Sequence, residues 1–266
     1  MDELRSEQDG ARAELEGGLA VWTIVRPDRR NALSVALLRR LGRLARAAHG
    51  HPDVRAVIVT GDGEQAFCAG ADLKERRGMS EQDVREFLPR YVEVFGAIDR
   101  LDRPVVAAIN GVAFGGGLEL ALSCDFRVMA AHAQVGLTET ALGIIPGAGG
   151  TQRLTKMLGS ARAKELILLA QRLDAAEALR LGLVHRVAED GQSALEAAKA
   201  LAAPLVSGAP IALAAALEAI DGAQDLPLEA GLLLERRCYE RTLVSEDRRE
   251  ALEAFAAKRK PAFKGR

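Results

Sequence analysis

Five apolar residues, V-V-A-A-I at 105–109, then Asn110-Gly111 and three consecutive glycines at 115–117, limit what this chain can become. A short apolar run bounded by turn residues reads as a fully buried strand. The glycines open onto L-E-L-A-L, a strong helix former. The stretch therefore predicts strand, glycine turn, helix. A helix start carries unpaired N–H groups and the positive end of the peptide dipoles. Glycine there lets a ligand approach the backbone closely. Glu119 follows Gly116 by three residues, about one helical turn. Helical side chains lean toward the N-terminus, so its carboxylate is expected over the Gly116 N–H. Donors that hold an anion, beside a carboxylate, can stabilise an oxyanion and move a proton.

A second carboxylate, Glu139, stands twenty residues on, ahead of the glycine-rich turn 147–150 and an Arg-containing helix expected from Thr151. Two carboxylates in glycine-rich surroundings suit paired acid and base work if the fold brings them together. Taken alone, Glu119 is an ordinary solvated helix charge and Glu139 an ordinary loop-edge charge. Either glycine run alone is a plain turn.

Around this centre the chain alternates. Strands are expected at 19–26, 54–61, 105–109, 126–130 and 133–137, with a last one at 183–187. Helices are expected at 34–49, capped by Ser34, and from Ser80, where Asp83 completes a capping box, to about 101. On the first helix Leu37, Leu41, Leu44 and Ala48 share one face, while Arg39, Arg40, Arg43 and Arg46 are read as the outer face. Residues 1–10 are expected to fray, and the charged segment between Asp72 and Ser80 to be a mobile loop of the kind that admits ligands. Strand–helix alternation implies α/β packing with crossovers. From 160 on the pattern is almost wholly helical: 160–170, 175–181, 194–203, 211–220, 228–243 and 247–258. Pro204 and Pro210 separate the later members. The division is a core at 1–202 and a helical region at 203–266, whose apolar faces need a partner.

Composition excludes little but is useful. With 266 residues and 48% hydrophobic content the chain can bury a sizeable core. A net charge of −1 gives no global attraction to nucleic acid or anionic lipid. Cys68, Cys124 and Cys238 are too few and too scattered for a disulfide framework or zinc site, and the four histidines lack metal spacing. The acidic, polar start and the lack of a long apolar run lead to the expectation of a cytoplasmic protein with no membrane anchor.

F-C-A-G-A-D-L-K-E at 67–75, G-G-G-L-E-L at 115–120 and I-P-G-A-G-G-T-Q-R-L at 145–154 together resemble the enoyl-CoA hydratase (crotonase) family, in order and spacing. The likeness runs from about residue 19 to the end. G-L-E-L-A-L-S-C-D, A-K-E-L-I and the tail C-Y-E-R-T…F-A-A-K-R-K-P-A-F-K-G are most similar to its methylglutaconyl-CoA hydratase branch, the AU-rich-RNA-binding hydratase homologues.

The resemblance implies a superhelix of β-β-α repeats with a C-terminal helical region that builds homotrimers or hexamers. It implies an enzyme that adds water to a 2-enoyl-CoA thioester, with coenzyme A as part of the substrate and no separate cofactor or metal. The backbone N–H groups of Ala71 and Gly116 would hold the thioester oxygen. Glu119 would activate water and Glu139 would deliver a proton to the α-carbon. Ala71, Asp72, Leu73 and Lys74 match the coenzyme-binding loop. Gly147 matches the acyl pocket, and Phe255 and Lys258 match tail positions that reach the coenzyme of the same or a neighbouring subunit. From the residues alone, Asp72 reads equally as a helix cap, the lysines as solvated charges and Phe255 as core. Two other readings stand beside hydration. One is a Δ3,Δ2-enoyl-CoA isomerase, although such relatives commonly lack one glutamate. The other is AU-rich RNA binding through Arg39, Arg40, Arg43 and Arg46, although relatives of that kind carry lysines where this chain has none. A glutaconyl-type acyl group would need a cation for its distal carboxylate, and the sequence does not say which.

Overall fold

The structure is a computed structural model and describes residues 2–266. It opens with a short 3-10 turn at Glu3–Arg5, then β1 (Ser6–Gln8), β2 (Ala11–Glu16) and β3 (Leu19–Ile24), joined as antiparallel neighbours. Residues 3–8 are therefore ordered, contrary to the expected fraying of 1–10, of which Met1 lies outside the described residues. Two buried groups explain the difference. Leu4 packs into the core, and the fully buried Arg40 donates to the Glu3 carbonyl (2.7 Å) and the Ser6 hydroxyl (2.9 Å) and pairs with the Glu3 carboxylate. Arg40 is thus not on the outer face of its helix, which also corrects the expected basic surface. Arg43 pairs with Glu3 and Asp9, leaving Arg39 and Arg46 without ion pairs among the described residues. Removing a partner from a buried charge is costly. Glu3→Ala is expected to destabilise the fold by about 2 kcal/mol, the low end because Arg40 keeps its oxygen acceptors. Urea melts of the two proteins check it.

The helix α1 (Val35–Ala48) is capped by Ser34, whose hydroxyl accepts from the Leu37 N–H. Three units of the same kind follow. β4 (Ala56–Gly61) and β5 (Ala66–Cys68) precede α2 (Leu73–Arg77) and α3 (Glu81–Asp99). β6 (Val105–Ile109) and β7 (Val112–Phe114) precede α4 (Gly116–Leu122). β8 (Phe126–Met129) and β9 (Gln134–Gly136) precede a 3-10 turn at Glu139–Leu142, then α5 (Gly150–Leu158) and α6 (Ser160–Leu168). The first strand of each unit joins a seven-stranded sheet of order β1-β2-β3-β4-β6-β8-β11, and the second joins a four-stranded sheet of order β10-β9-β7-β5. Here β10 is Leu173–Asp174, followed by α7 (Ala175–Arg180), and β11 is Arg186–Val187. The chain therefore winds as a coil of β-β-α units rather than as a flat doubly wound sheet.

The segment expected as a mobile loop is the helix α2. Asp72 caps it, accepting from the N–H groups of Lys74 and Glu75 (3.0 and 3.4 Å). Ser80 and Asp83 form the expected capping box at the start of α3. β4 and β6 are buried along their whole length, and α8 (Ala194–Val206) packs over β4, β6 and β8. This helix runs through Pro204, so residue 203, the expected domain boundary, lies inside it. The remaining helices are α9 (Pro210–Gly222), α10 (Leu228–Leu243) and α11 (Glu246–Ala256).

Candidate active site

The four-stranded sheet organises the site. β5, β7 and β9 are parallel neighbours, so their C-terminal ends lie along one edge. Open α/β sheets bind ligands at such an edge. β5 leads to Ala71, β7 to Gly116 and Glu119, and β9 to Glu139. Strand pairing thus gathers residues that are far apart in sequence.

Backbone bonds fix each turn. Leu33 N donates to Gly70 O (2.8 Å) and Asp72 N to Leu33 O (3.0 Å), while Ala69 N donates to Arg30 O (3.0 Å). The intervening Ala71 N–H has no acceptor among the described residues, and neither has Gly116 N–H. The two face one region: a Cβ added to Gly116 would stand 3.8 Å from Ala71 N. Gly115 adopts φ +53°, ψ −125°, which an L side chain rarely reaches. It turns β7 into α4, and its N–H donates to Gly136 O (2.9 Å), tying this turn to the end of β9. Gly117 is required for packing, because a Cβ there would overlap the Cys68 carbonyl oxygen.

Glu119 is buried on α4, but not where helix geometry alone put it. Its Oε1 accepts from Ala148 N and Gly150 N, both at 2.7 Å, instead of lying over Gly116. Donors from a long-range loop outcompete the local one. Arg153 holds that loop: it donates to Ala148 O (3.1 Å) and to Asp99 Oδ2 (2.8 Å) at the end of α3. Burial raises the Glu119 pKa, opposed first by the Gly150 and Ala148 N–H groups.

Glu139 begins the 3-10 turn after β9. Its Oε1 would lie 2.9 Å from a Cβ on Gly115, and its Oε2 is buried with no partner. Burial, and to a smaller extent the Glu119 charge, push its pKa up to about 7. Both carboxyls are therefore held above their ordinary range, Glu139 at about 7, and of the two side chains Glu119 is the one that accepts backbone N–H donors.

A folded-state pKa above the ordinary carboxylate value means the native state binds more protons than the unfolded chain between about pH 4.5 and 7. The native state therefore loses stability as pH rises through that window. Glu139→Gln is expected to raise the melting temperature at pH 8 by a few degrees and to change it little at pH 4. Calorimetry at both pH values checks it.

Both glutamates, Ala71, Gly116 and Gly147 line one cavity of about 610 Å³. Leu73, 59% exposed, flanks it from α2. Lys74 is exposed and Asp72 is occupied: besides capping α2, its Oδ2 accepts from Arg26 (2.8 Å). Phe255 is 86% exposed, not core, and neither it nor Lys258 lines this cavity within the one chain. The sequence reading missed Ala148 and Gly150 as ligands of Glu119, Arg153 behind them, and Arg76, Tyr91 and Phe114 in the wall. The Gly147–Gly150 run was the one available signal for the first pair.

Two sheets wound from β-β-α units, and a buried carboxylate pair lining one cavity with two backbone N–H groups that have no acceptor among the described residues, define a crotonase-type enzyme site. The chain belongs to the enoyl-CoA hydratase/isomerase family, whose profile matches residues 14–266. Among its relatives, the mitochondrial methylglutaconyl-CoA hydratase of Mus musculus is 43% identical over 93% of this chain and 80% of its own length. The short-chain-enoyl-CoA hydratase of Clostridium acetobutylicum is 41% identical over 95% and 97%. The crystal structure of an enoyl-CoA hydratase from Bacillus anthracis superposes with a TM-score of 0.94 at 43% identity, covering 97% of this chain and all of that one.

Proposed function

We propose that the protein hydrates a 2-enoyl-CoA thioester to the 3-hydroxyacyl thioester. The observation that carries this is the pairing of Glu119 and Glu139 in one cavity with the free N–H groups of Ala71 and Gly116. The thioester oxygen sits between the two N–H donors and gains negative charge as the reaction proceeds, so donors already aimed there lower the barrier. Glu119 takes a proton from water while the oxygen of that water bonds to C3. The C2=C3 electron pair moves toward the carbonyl. Glu139 then gives its proton to C2. The elements of one water have been added, and a proton passed from Glu119 back to Glu139 resets the pair. In this scheme the thioester itself is the activating group and no separate cofactor takes part.

Isomerisation needs a proton moved between two carbons and no captured water, so one carboxylate suffices. The second carboxylate here, buried and with an unpartnered oxygen, favours hydration. The test is a panel of 2-enoyl and 3-enoyl thioesters followed by the enoyl absorbance and by product chromatography. Hydration of at least one 2-enoyl member is expected. Conversion of 3-enoyl to 2-enoyl thioesters with no hydration overturns the reading.

The C-terminal helices support assembly of like subunits. Leu228, Leu232 and Leu233 of α10 and Phe255 of α11 are large, apolar and exposed in the single chain. We propose that a second and third copy cover them. Light scattering is expected to give three or six times the chain mass, and a monomer at micromolar concentration overturns it.

A further inference from the structure

Arg76 of α2 is the one cation among the residues lining the cavity. It forms no ion pair or side-chain hydrogen bond with any described residue, and its Nε is buried without a partner. A buried guanidinium N–H left without an acceptor is unfavourable unless a ligand supplies one. The two carboxylates of the cavity do not: Glu119 Oε1 is held by Ala148 and Gly150, and Glu139 lies against Gly115. Arg76 is nonetheless within Coulombic reach of Glu119 and of Tyr91 on α3. Much of the remaining wall is apolar, with Val84, Leu88, Leu142, Ile144 and Ile145 in the lining. A purely hydrocarbon acyl chain would satisfy that wall and leave Arg76 bare.

We propose that Arg76 binds a carboxylate at the far end of the acyl group, so that the preferred substrates are dicarboxylic 2-enoyl thioesters. The planar guanidinium matches a carboxylate with two parallel donors. A coenzyme phosphate is the competing anion, but it stands many bonds from the thioester, whereas Arg76 lines the same cavity as both glutamates and its charge reaches Glu119. A second competing role is a field effect on Glu119 alone. The assignment rests on the hydratase reading for its chemistry, yet its test needs no turnover.

The experiment is calorimetric binding of glutaryl-CoA and butyryl-CoA, saturated thioesters that differ in a terminal carboxylate. The native protein is expected to bind glutaryl-CoA roughly tenfold or more tightly than butyryl-CoA. Arg76→Met should bring that ratio to about one, and Arg76→Lys should restore part of it. A ratio near one in the native protein overturns the proposal. So does a ratio unchanged in Arg76→Met, which would follow if Arg76 served only a phosphate or the field at Glu119. Failure of every 2-enoyl thioester to hydrate would sink the hydratase reading without altering these ratios.

Discussion

Glu119→Gln is expected to lower kcat for 2-enoyl-CoA hydration by about a hundredfold to ten-thousandfold, the usual range for a positioned acid or base. The amide keeps the size of the side chain, and its carbonyl oxygen can still accept from Ala148 and Gly150, whose N–H groups lie 2.7 Å from Oε1. Folding should therefore be preserved while the capacity to take a proton is lost. KM should change little, because the lost interaction belongs to the transition state. Glu139→Gln should cause a loss of similar size for the opposite reason. That side chain is needed protonated, and the amide cannot give a proton to carbon. Because the two act as one unit, the double variant should be little worse than the poorer single variant. Steady-state kinetics of the three variants, with melting curves as a folding control, check this. Near-normal rates in either single variant would remove the mechanism.

The largest structural effect is expected from Gly117→Ala. The added Cβ overlaps the Cys68 carbonyl, a backbone atom that no rotamer change can move. α4 must back away from β5, and the Ala71 and Gly116 N–H groups, carried by the same two segments, separate. We expect a melting temperature lowered by more than about 10 °C, corresponding to several kcal/mol. Whatever folds should show kcat lower by about a hundredfold to a thousandfold, the usual loss for one oxyanion donor. Thermal melts and single-turnover hydration check the two parts separately. Gly117→Ala that melts and turns over normally would mean that the two segments are not held at contact distance.

Much of this was legible before any coordinates. The apolar run at 105–109, Ser34 as cap and the Ser80–Asp83 box are local signals, set by neighbours in sequence, and the structure has them where expected. What escaped the sequence depends on distant partners. Ser6–Gln8 is polar and gives no strand pattern; it is a strand because β2 supplies its ladder and Arg40 its anchor. Arg40 read as a surface charge because periodicity sees polarity and not the carbonyls of residues 3 and 6. The charged segment after Asp72 read as loop because five residues carry almost no helical periodicity, and the cap decides it. The two glutamates were recognisable by motif, but the position of the Glu119 carboxylate was not. It is set by loop 148–150, thirty residues away, and by Arg153 behind that loop.

The clamp on Glu119 has a stereochemical consequence. With Oε1 occupied by two N–H groups, the proposed reaction leaves only Oε2 to orient the attacking water, and a thioester oxygen held by Ala71 and Gly116 would fix the plane it attacks. Water can then reach the prochiral carbon from a single side. The 3-hydroxy product should leave as one enantiomer, its handedness written into the direction in which α4 departs from β7.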